Sequence, residues 1–166
     1  MKAVIQRVRS ASVSAEGKIT GSINSGLLVY LGIADGDNEK DAIYLTEKIS
    51  NLRIFNDEND KMNLSILDLC HSKNIQPSPL PGILVISQFT LLAETKRGRR
   101  PYYGNAADPE IAKELYVYFL DKFREMKLHC EEGIFQAKMD VSYTNEGPVT
   151  IILDSRDYWE KTGGKN

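Results

Sequence analysis

Polar side chains interrupt an apolar segment within residues 83–101, ILVISQFTLLAETKRGRRP. Side chains of a β-strand alternate between its two faces, so Ser87 and Phe89 are expected on one face and Gln88 and Thr90 on the other. At about 3.3 Å per residue, Gln88 and Thr90 would lie roughly 6–7 Å apart in mid-strand. A carboxamide beside a hydroxyl can bind a carbonyl group or a water molecule. The segment therefore predicts a small polar pocket on a buried strand.

A basic segment follows this strand directly. Lys96, Arg97, Arg99 and Arg100 place four positive charges within five residues, and Gly98 leaves the backbone free to bend around an anion. Such a loop beside a polar pocket predicts a rim that binds phosphate groups. The alternative interpretation is an ordinary buried strand that ends in a solvated loop, because charge runs are commonly solvent-exposed.

Cofactor and metal chemistry have little support in the sequence. Glycine patterns typical of phosphate-binding loops and dinucleotide sites are absent, so no cofactor is expected. The pairs Cys70-His71 and His129-Cys130 invite a zinc interpretation, but neither has metal-ligand spacing, and no metal site is predicted. A serine hydrolase would need a histidine near Ser87, and the G-x-S-x-G motif is absent. Only a fold that brings a histidine to Ser87 keeps this alternative open.

Size and composition limit the class of protein. The chain has 166 residues, of which 42% are hydrophobic and 27% charged, with a net charge of −2. These values are typical of one globular domain and argue against a protein that coats nucleic acid with its whole surface. The longest apolar run, residues 27–34, is far shorter than the ~20 residues of a membrane helix, and the N-terminus lacks a signal-peptide core. We therefore expect a soluble, cytoplasmic protein.

Caps and apolar stripes predict the helices that support this site. Asp37 or Asn38 can cap a first helix, and Pro109 after Asp108 begins a second. The stripe of the first helix comprises Ala42, Leu45, Ile49 and Leu52. The stripe of the second comprises Ile111, Leu115, Phe119, Phe123 and Met126. Residues 69–82 contain three prolines and are expected to lack regular structure.

Alternating and apolar segments predict the strands. Short strands are expected at residues 3–8, 11–15, 19–23, 27–34 and 149–153. Residues 135–144 alternate strictly between apolar and polar types, which predicts a half-buried strand. By its chemistry alone, Gly147-Pro148 is interpreted as an ordinary turn. The sum is a mixed α/β fold with a largely antiparallel, barrel-like β-sheet covered by two main helices, in a single domain of residues 1–161 with a flexible tail at 162–166.

Seven segments resemble the D-aminoacyl-tRNA deacylase family, called D-tyrosyl-tRNA deacylase in older usage. They are AVIQRV (3–8), GLLVYLG (26–32), NLRIF (51–55), KMNLS (61–65), SQFTL (87–91), KRGRRP (96–101) and GPVT (147–150). Each is weak alone, but their order and spacing over essentially the whole chain make the resemblance specific. It implies a cytoplasmic homodimer that hydrolyses the ester between a D-amino acid and the 3′ end of tRNA.

The resemblance also implies roles for individual residues. The catalytic strand of the family falls on Ser87, Gln88, Phe89 and Thr90. Its substrate-binding positions fall on Gly147, Pro148, Arg7, Phe135 and Met139. The first two of these form the family's Gly-cis-Pro motif, which enters the pocket of the partner subunit, and this reverses the turn interpretation. The basic residues Lys96, Arg97, Arg99 and Arg100 are assigned to acceptor-stem phosphates.

A proofreading enzyme of this kind must recognise what its substrates share, because their side chains differ. Backbone carbonyls of Gly147 and Pro148 would engage the α-ammonium of a D-substrate and clash with the side chain of an L-substrate. Glycyl-tRNA, which has no side chain, would escape this filter and be cleaved. For the ester cleavage itself, no protein nucleophile is expected, with Thr90 positioning or polarising and Gln88 orienting the adenosine or the ester.

Some positions depart from the usual family pattern. Tyr102-Tyr103 replaces Ser-Phe, Gln136 replaces glycine, and Glu146 replaces aspartate. Two other functions are weighed against the deacylase. One is a non-catalytic nucleic-acid-binding module that uses the basic loop and the two tyrosines as stacking partners. The other is a general esterase, which would show little preference between mirror-image substrates.

Overall fold

The computed structural model of the chain describes residues 1–71, 79–96 and 98–163. Within these residues there are eight β-strands, four α-helices and one short 3-10 helix. The strands are β1 Lys2–Ala15, β2 Lys18–Ile23, β3 Gly26–Gly32, β4 Phe55–Asn56, β5 Met62–Leu64, β6 Gly82–Ser87, β7 His129–Glu132 and β8 Met139–Asp154. The α-helices are α1 Glu39–Ser50, α2 Ile66–His71, α3 Pro109–Glu125 and α4 Ser155–Thr162, and the 3-10 helix spans Phe89–Leu92. None of the helices in these ranges is both long and apolar enough to cross a membrane.

The long strand β1 organises the main sheet. It pairs antiparallel with β8 along one edge and with β3 and β2 along the other. Strand β6 pairs parallel with β3, and β7 pairs parallel with β6. The outer strands then meet, since a Cβ atom on Gly21 of β2 would lie 2.6 Å from the carbonyl oxygen of Glu132 in β7. The barrel-like mixed α/β fold is confirmed, and the sheet contains more parallel pairing than expected.

Both faces of the central strands are buried. Alternate residues of β3 face different cores: Val29 packs with Leu45 and Phe119 of the covering helices, whereas Leu28 packs with Leu84 inside the curved sheet. All five side chains have 0% exposure. Residues 27–34 are apolar without interruption because a strand covered on both faces has no solvated side. The strand predicted at residues 27–34 is thus present as β3 and is covered on both faces.

Local capping signals define the starts of the two main helices. Asn38 caps α1 through reciprocal hydrogen bonds with the first turn, and Asp108 caps α3, which begins at Pro109. Both predicted starts are confirmed. Three stripe positions differ from expectation, since Leu52 and Met126 lie beyond the ends of α1 and α3 and Ile111 is 53% exposed. Ile111 lies in the first turn of α3, before the helix reaches the buried positions that begin at its middle.

Long-range pairing changes several predicted boundaries. Residues 3–8 and 11–15 belong to one continuous strand, because β8 pairs along nearly all of β1. Helix α2 extends to His71, so the beginning of the proline-rich segment is regular after all. Helix α4 extends to Thr162, the first residue of the expected tail. Residues 72–78 and 164–166 lie outside the described residues.

The predicted catalytic strand ends earlier than expected. The last pair between β3 and β6 is Leu31 with Ser87, and the chain then enters the 3-10 helix at Phe89. The prediction that Gln88 and Thr90 lie in mid-strand is therefore wrong. Their position follows from the end of the ladder, beyond which the backbone of Gln88 donates its last sheet-like hydrogen bond to Leu31 O at 2.7 Å.

Strand β8 also differs from the prediction in both of its parts. Residues 135–138 precede the strand, and a turn closed by a 3.2 Å hydrogen bond from Ala137 N to Ile134 O occupies 134–137. The chain does not reverse at Gly147-Pro148, because residues on both sides pair with β1. In that pairing, Gln6 faces Thr150 and Val8 faces Asn145, so residues 146–149 bulge out of the ladder opposite a single residue of β1.

Candidate functional site

A cavity of about 950 Å³ opens where β6 ends. Its walls come from the end of β6, the 3-10 helix, the loop before α3, and the segment that leads into β8. Its lining residues are Leu31, Ile33, Ile86, Ser87, Gln88, Phe89, Tyr103, Ala106, Ala107, Asp108, Pro109, Ala112, Phe135, Gln136, Ala137, Met139 and Val141. The walls are mostly apolar with a few polar groups, which is typical of small-molecule binding sites.

Predicted catalytic residues lie at one end of this cavity. Ser87, Gln88 and Phe89 line it directly, and Thr90 is joined to it because the Gln88 amide donates a hydrogen bond to Thr90 Oγ1. The carboxamide and the hydroxyl are thus adjacent, as expected, although the 3-10 turn and not a strand brings them together. The first N–H groups of a helical turn have no partner within it, so backbone donors are available in this region in principle.

Aromatic side chains line the opening and one wall. Phe89 is 57% exposed and contacts Tyr103 edge to face, with ring centroids 5.1 Å apart. Phe135 packs against Tyr116, whose hydroxyl donates a 2.9 Å hydrogen bond to Val85 O. Burial raises the pKa of the Tyr116 hydroxyl well above its usual value, so this group stays neutral at physiological pH. Tyr116 therefore acts as a fixed hydrogen-bonded support behind Phe135.

Gly147 and Pro148 do not line the cavity of their own chain. Both are exposed at the bulge of β8, and the peptide bond between them is cis, as the resemblance implies. Gly147 has a φ angle of +118°, and a Cβ atom there would lie 2.8 Å from Val149 Cγ2 and 3.2 Å from Arg7 Nη2. A side chain at residue 147 would therefore displace either Val149 or Arg7. This position requires glycine.

Arg7 connects the bulge to the body of the protein. Its side chain is buried and donates hydrogen bonds from Nη1 to Ile54 O at 2.5 Å and to Asn56 Oδ1 at 3.3 Å. Its Nε lies 3.7 Å from a carboxylate oxygen of Glu146, which also contacts Arg9 Nε at 3.4 Å. Arg7 thus contacts β4 on one side and the residues that precede Pro148 on the other.

The basic loop connects the 3-10 helix to Tyr103, and both contribute residues to the cavity lining. Two backbone hydrogen bonds of 2.8 and 2.9 Å between Glu94 and Tyr102 close its base. The side chains of Lys96, Arg99 and Arg100 are exposed. Arg97 lies outside the described residues. The loop presents its described cations to solvent within a few residues of the aromatic pair Phe89 and Tyr103.

Three polar cavity residues were not among the predicted site residues. Tyr103 was considered only as a stacking partner, Asp108 only as a helix cap, and Gln136 only as a departure from the family pattern. Asp108 both caps α3 and lines the cavity, since its Oδ1 accepts a 3.0 Å hydrogen bond from Glu110 N and the residue forms part of the cavity wall. Proximity to Phe135 in sequence was the one signal that could have indicated Gln136.

The structure does not support a Ser–His pair. His129 faces Gly82, which lies at the other end of β6 from Ser87, roughly 16 Å away along the strand. His71 is exposed at the end of α2. Across the described part of the chain, no group of three or more His, Cys, Asp or Glu residues could hold a metal ion. Burial raises the pKa of the Cys130 thiol to about 12, so this cysteine is protonated at neutral pH.

Comparison with known families identifies the chain. A family model described as D-Tyr-tRNA(Tyr) deacylase matches residues 4–154, which include the cavity, the basic loop and the bulge of β8. The chain belongs to this family. Membership in the D-Tyr-tRNA(Tyr) deacylase family confirms the resemblance drawn from the sequence motifs, and it confirms the expectation that the chain is an enzyme, a hydrolase of the deacylase type.

Individual proteins and solved structures are similar to this D-Tyr-tRNA(Tyr) deacylase family member over nearly its full length. A D-aminoacyl-tRNA deacylase of Koribacter versatilis is 51% identical over 156 residues, covering 94% of this chain and 98% of the relative. One of Aquifex aeolicus is 52% identical over 157 residues, covering 95% and 99%. A solved structure described as c-Myc DNA Unwinding Element Binding Protein is 37% identical with a TM-score of 0.81, covering 93% and 98%. A probable eukaryotic D-amino acid tRNA deacylase, at 15% identity and a TM-score of 0.74 over 92% and 98%, shares the fold.

Proposed function

We propose that this chain hydrolyses the ester bond of D-aminoacyl-tRNA, and also of glycyl-tRNA, releasing the free amino acid and tRNA. One observation carries the proposal: a single cavity is lined by Ser87, Gln88, Phe89, Phe135 and Met139, all of which the family motifs indicate. The relatives at 51% and 52% identity bear the name of this activity. The cavity is large enough to enclose an aminoacyl group together with a nucleoside.

The proposed chemical step needs no protein nucleophile. Water adds to the ester carbonyl, the bond from that carbon to the ribose oxygen breaks, and the proton from water passes to the leaving ribose hydroxyl. Backbone N–H groups near Phe89 and Thr90 stabilise the developing oxyanion. The Thr90 hydroxyl, fixed by the Gln88 amide, positions the attacking water or the vicinal 2′-hydroxyl of the ribose. Gln88 orients the ester.

Selection between mirror-image substrates is assigned to Gly147 and Pro148 of a second copy of the chain. Their exposure at a bulge, outside the cavity of their own chain, supports this assignment. Arg7 connects the bulge to β4, because it donates hydrogen bonds to Ile54 O and Asn56 Oδ1 and forms an ion pair with Glu146 at 3.7 Å. Two backbone carbonyls then bind the α-ammonium of a D-substrate, and the side chain of an L-substrate meets backbone. Exclusion by clash reaches larger ratios than recognition of side-chain size.

The second copy is proposed to pack against the face of β8 that carries the bulge. Ile152 is 68% exposed and Tyr143 is 41% exposed on this strand, on either side of Pro148. Apolar side chains of this size gain about 1.5–3 kcal/mol each when they are fully buried. A homodimer that covers them would carry each Gly147-Pro148 pair toward the cavity of the partner.

Binding of the tRNA acceptor stem is assigned to the basic loop. The protein is proposed to carry out this reaction in the cytoplasm. Lys96, Arg97, Arg99 and Arg100 bind phosphates without reading sequence, because charge on an exposed loop contacts the RNA backbone and not the base edges. The closed base of the loop supports this role by holding the cations beside the cavity opening. The 3′ end of the same tRNA would then reach Phe89 and the cavity.

Three substrates test this function against its alternatives. Purified protein is incubated with D-tyrosyl-, L-tyrosyl- and glycyl-tRNA, and release of the amino acid is followed over time. We expect fast release from the D-ester, measurable release from the glycyl ester and almost none from the L-ester. Equal rates on both tyrosyl esters would indicate a general esterase. Binding without release would indicate a nucleic-acid-binding module, the function that the name of the 37% identical relative raises.

A further inference from the structure

Gln136 adopts a backbone conformation that glycine would favour. It is the third residue of the turn 134–137, which a hydrogen bond from Ala137 N to Ile134 O closes, and its φ angle is +63°. Turns with positive φ at the third position strongly prefer glycine or asparagine, because a Cβ atom is crowded there. A glutamine at this position carries an energetic cost that a glycine would not. Residues held this way cluster at sites where the side chain is used.

The side chain of Gln136 is placed to contact a ligand. Gln136 is exposed, and it lines the cavity together with its neighbours Phe135 and Ala137. No hydrogen bond to another residue of the described ranges engages its carboxamide, so hydrogen bonding within those ranges does not explain the choice of glutamine. The amide therefore offers one donor group and one acceptor to whatever occupies the cavity.

We propose that Gln136 recognises the base of the 3′-terminal nucleotide of the tRNA. This inference rests on the proposed deacylase function. An aromatic ring beside an amide is the combination that binds unpaired RNA bases, through stacking and hydrogen bonds to the base edge. Phe135 and Gln136 supply these two groups from one turn. The other parts of the substrate match the amide less well. The amino-acid side chain differs between substrates, the α-ammonium group binds only hydrogen-bond acceptors, and phosphate groups are bound by positively charged side chains.

The test combines a change in the enzyme with a change in the base. Wild type and Gln136→Gly are assayed with D-tyrosyl-tRNA that ends in adenosine or in purine riboside, which lacks the 6-amino group. For wild type we expect kcat/KM to fall roughly 10-fold with purine riboside, the size of one lost base contact. Gln136→Gly should show a similar loss with adenosine, mainly in KM, and almost no further loss with purine riboside. An undiminished preference for adenosine in the variant would overturn the inference.

Thermal unfolding separates recognition from folding. Gln136→Gly removes the unfavourable conformation, so its Tm should be equal to wild type or higher by roughly 2–4 °C while substrate binding weakens. Lys127→Gly is the matched control, since Lys127 has a φ angle of +58° at the end of α3 and does not line the cavity. It should raise the Tm without changing kcat/KM. A Gln136→Gly variant with lower Tm and unchanged KM would show that the residue serves the fold alone.

A binding measurement keeps this inference separate from the proposed activity. Deacylated tRNA ending in adenosine or in purine riboside is titrated against wild type and Gln136→Gly by filter binding. Preference for adenosine in wild type, lost in the variant, supports base recognition whether or not the ester is cleaved. If the wild-type protein shows no D-selective release, the proposed function is wrong. If all four titrations give equal affinities, the inference on Gln136 is wrong.

Discussion

Thr90 and Gln88 form a hydrogen-bonded pair after the end of β6, and the roles proposed for them differ from those of a nucleophile and a base. The Gln88 amide donates to Thr90 Oγ1, which fixes the hydroxyl but does not remove its proton. His129 does not lie near enough to do so, since it pairs with the far end of β6. Positioning and backbone stabilisation are therefore the contributions that these residues can make.

Replacing Thr90 tests this assignment. If Thr90 only positions the water or the ribose hydroxyl, Thr90→Ala should lower the single-turnover rate on D-tyrosyl-tRNA by at most about 10²–10³. Thr90→Ser, which keeps the hydroxyl, should retain most of the rate. Complete loss of turnover in the alanine variant, with trapping of an acyl group on wild type, would instead identify Thr90 as a nucleophile.

Arg7 and Arg9 form a natural pair for comparison, because both contact Glu146. Arg7 is 8% exposed and bonds Ile54 O and Asn56, whereas the Arg9 side chain is 72% exposed. Arg7→Ala should lower the free energy of unfolding by about 3 kcal/mol, since it removes charged hydrogen bonds and leaves buried acceptors unpaired. Arg9→Ala should change it by less than about 0.5 kcal/mol. Urea titrations of both variants provide the measurement, and similar losses would contradict the structural role given to Arg7.

At the scale of elements, β8 and the basic loop present groups outward from the closed sheet. Strand β8 pairs with β1 on both sides of the bulge 146–149, so the ladder clamps the bulge at both ends. The loop between Glu94 and Tyr102 is likewise closed at its base by two backbone hydrogen bonds. In both cases regular pairing holds the ends of an irregular segment, which fixes its direction without covering it.

The basic loop predicts how tRNA binding depends on salt. Four contacts to acceptor-stem phosphates give a slope of roughly −3 for log affinity against log salt concentration, because each contact releases about 0.7–0.9 of a counterion. Lys96→Ala should make the slope shallower by about 0.7. Lys48→Ala, an exposed lysine on α1, is the control and should leave it unchanged. If the affinity of the wild-type protein for tRNA did not depend on salt concentration, the loop would not be part of the tRNA interface.

At the scale of the whole molecule, the cavity and the bulge are separate features of one chain. None of the residues 145–150 lines the cavity, although the family motifs connect both with the same reaction. A second copy that supplies the bulge resolves this separation. The exposed apolar residues of β8 are the surface on which the proposed homodimer would form.

Mixed dimers test this arrangement directly. Thr90→Ala damages the cavity, and Gly147→Val damages the bulge, where a Cβ atom would lie 2.8 Å from Val149 Cγ2. In a dimer of one copy of each variant, one of the two sites combines the unaltered cavity with the unaltered bulge. Purified mixed dimers should therefore recover about half of the wild-type D-selective activity. Mixed dimers as inactive as the parent variants would assign both features to the same chain, and sedimentation at the assay concentration checks that dimers are present.

Structural features that depend on a few neighbouring residues could be predicted from the sequence. Asn38 and Pro109 indicate the helix starts because a cap depends on groups within the first turn. The apolar run at 27–34 indicates a doubly covered strand because burial on both faces leaves no place for polar side chains. The family resemblance that the ordered motifs carry likewise indicated the family and five of the seventeen residues that line the cavity.

Only the tertiary structure determined where those residues stand. Gln88 leaves the sheet because the ladder between β3 and β6 ends at the pair of Leu31 with Ser87, and β8 stays one strand across Gly147 because β1 pairs with it on both sides. Gln136 enters the cavity wall because the turn 134–137 lies beside the end of β6. Each of these outcomes depends on pairing with a segment far away in the chain, and side-chain periodicity along one segment carries no information about where its neighbour ends.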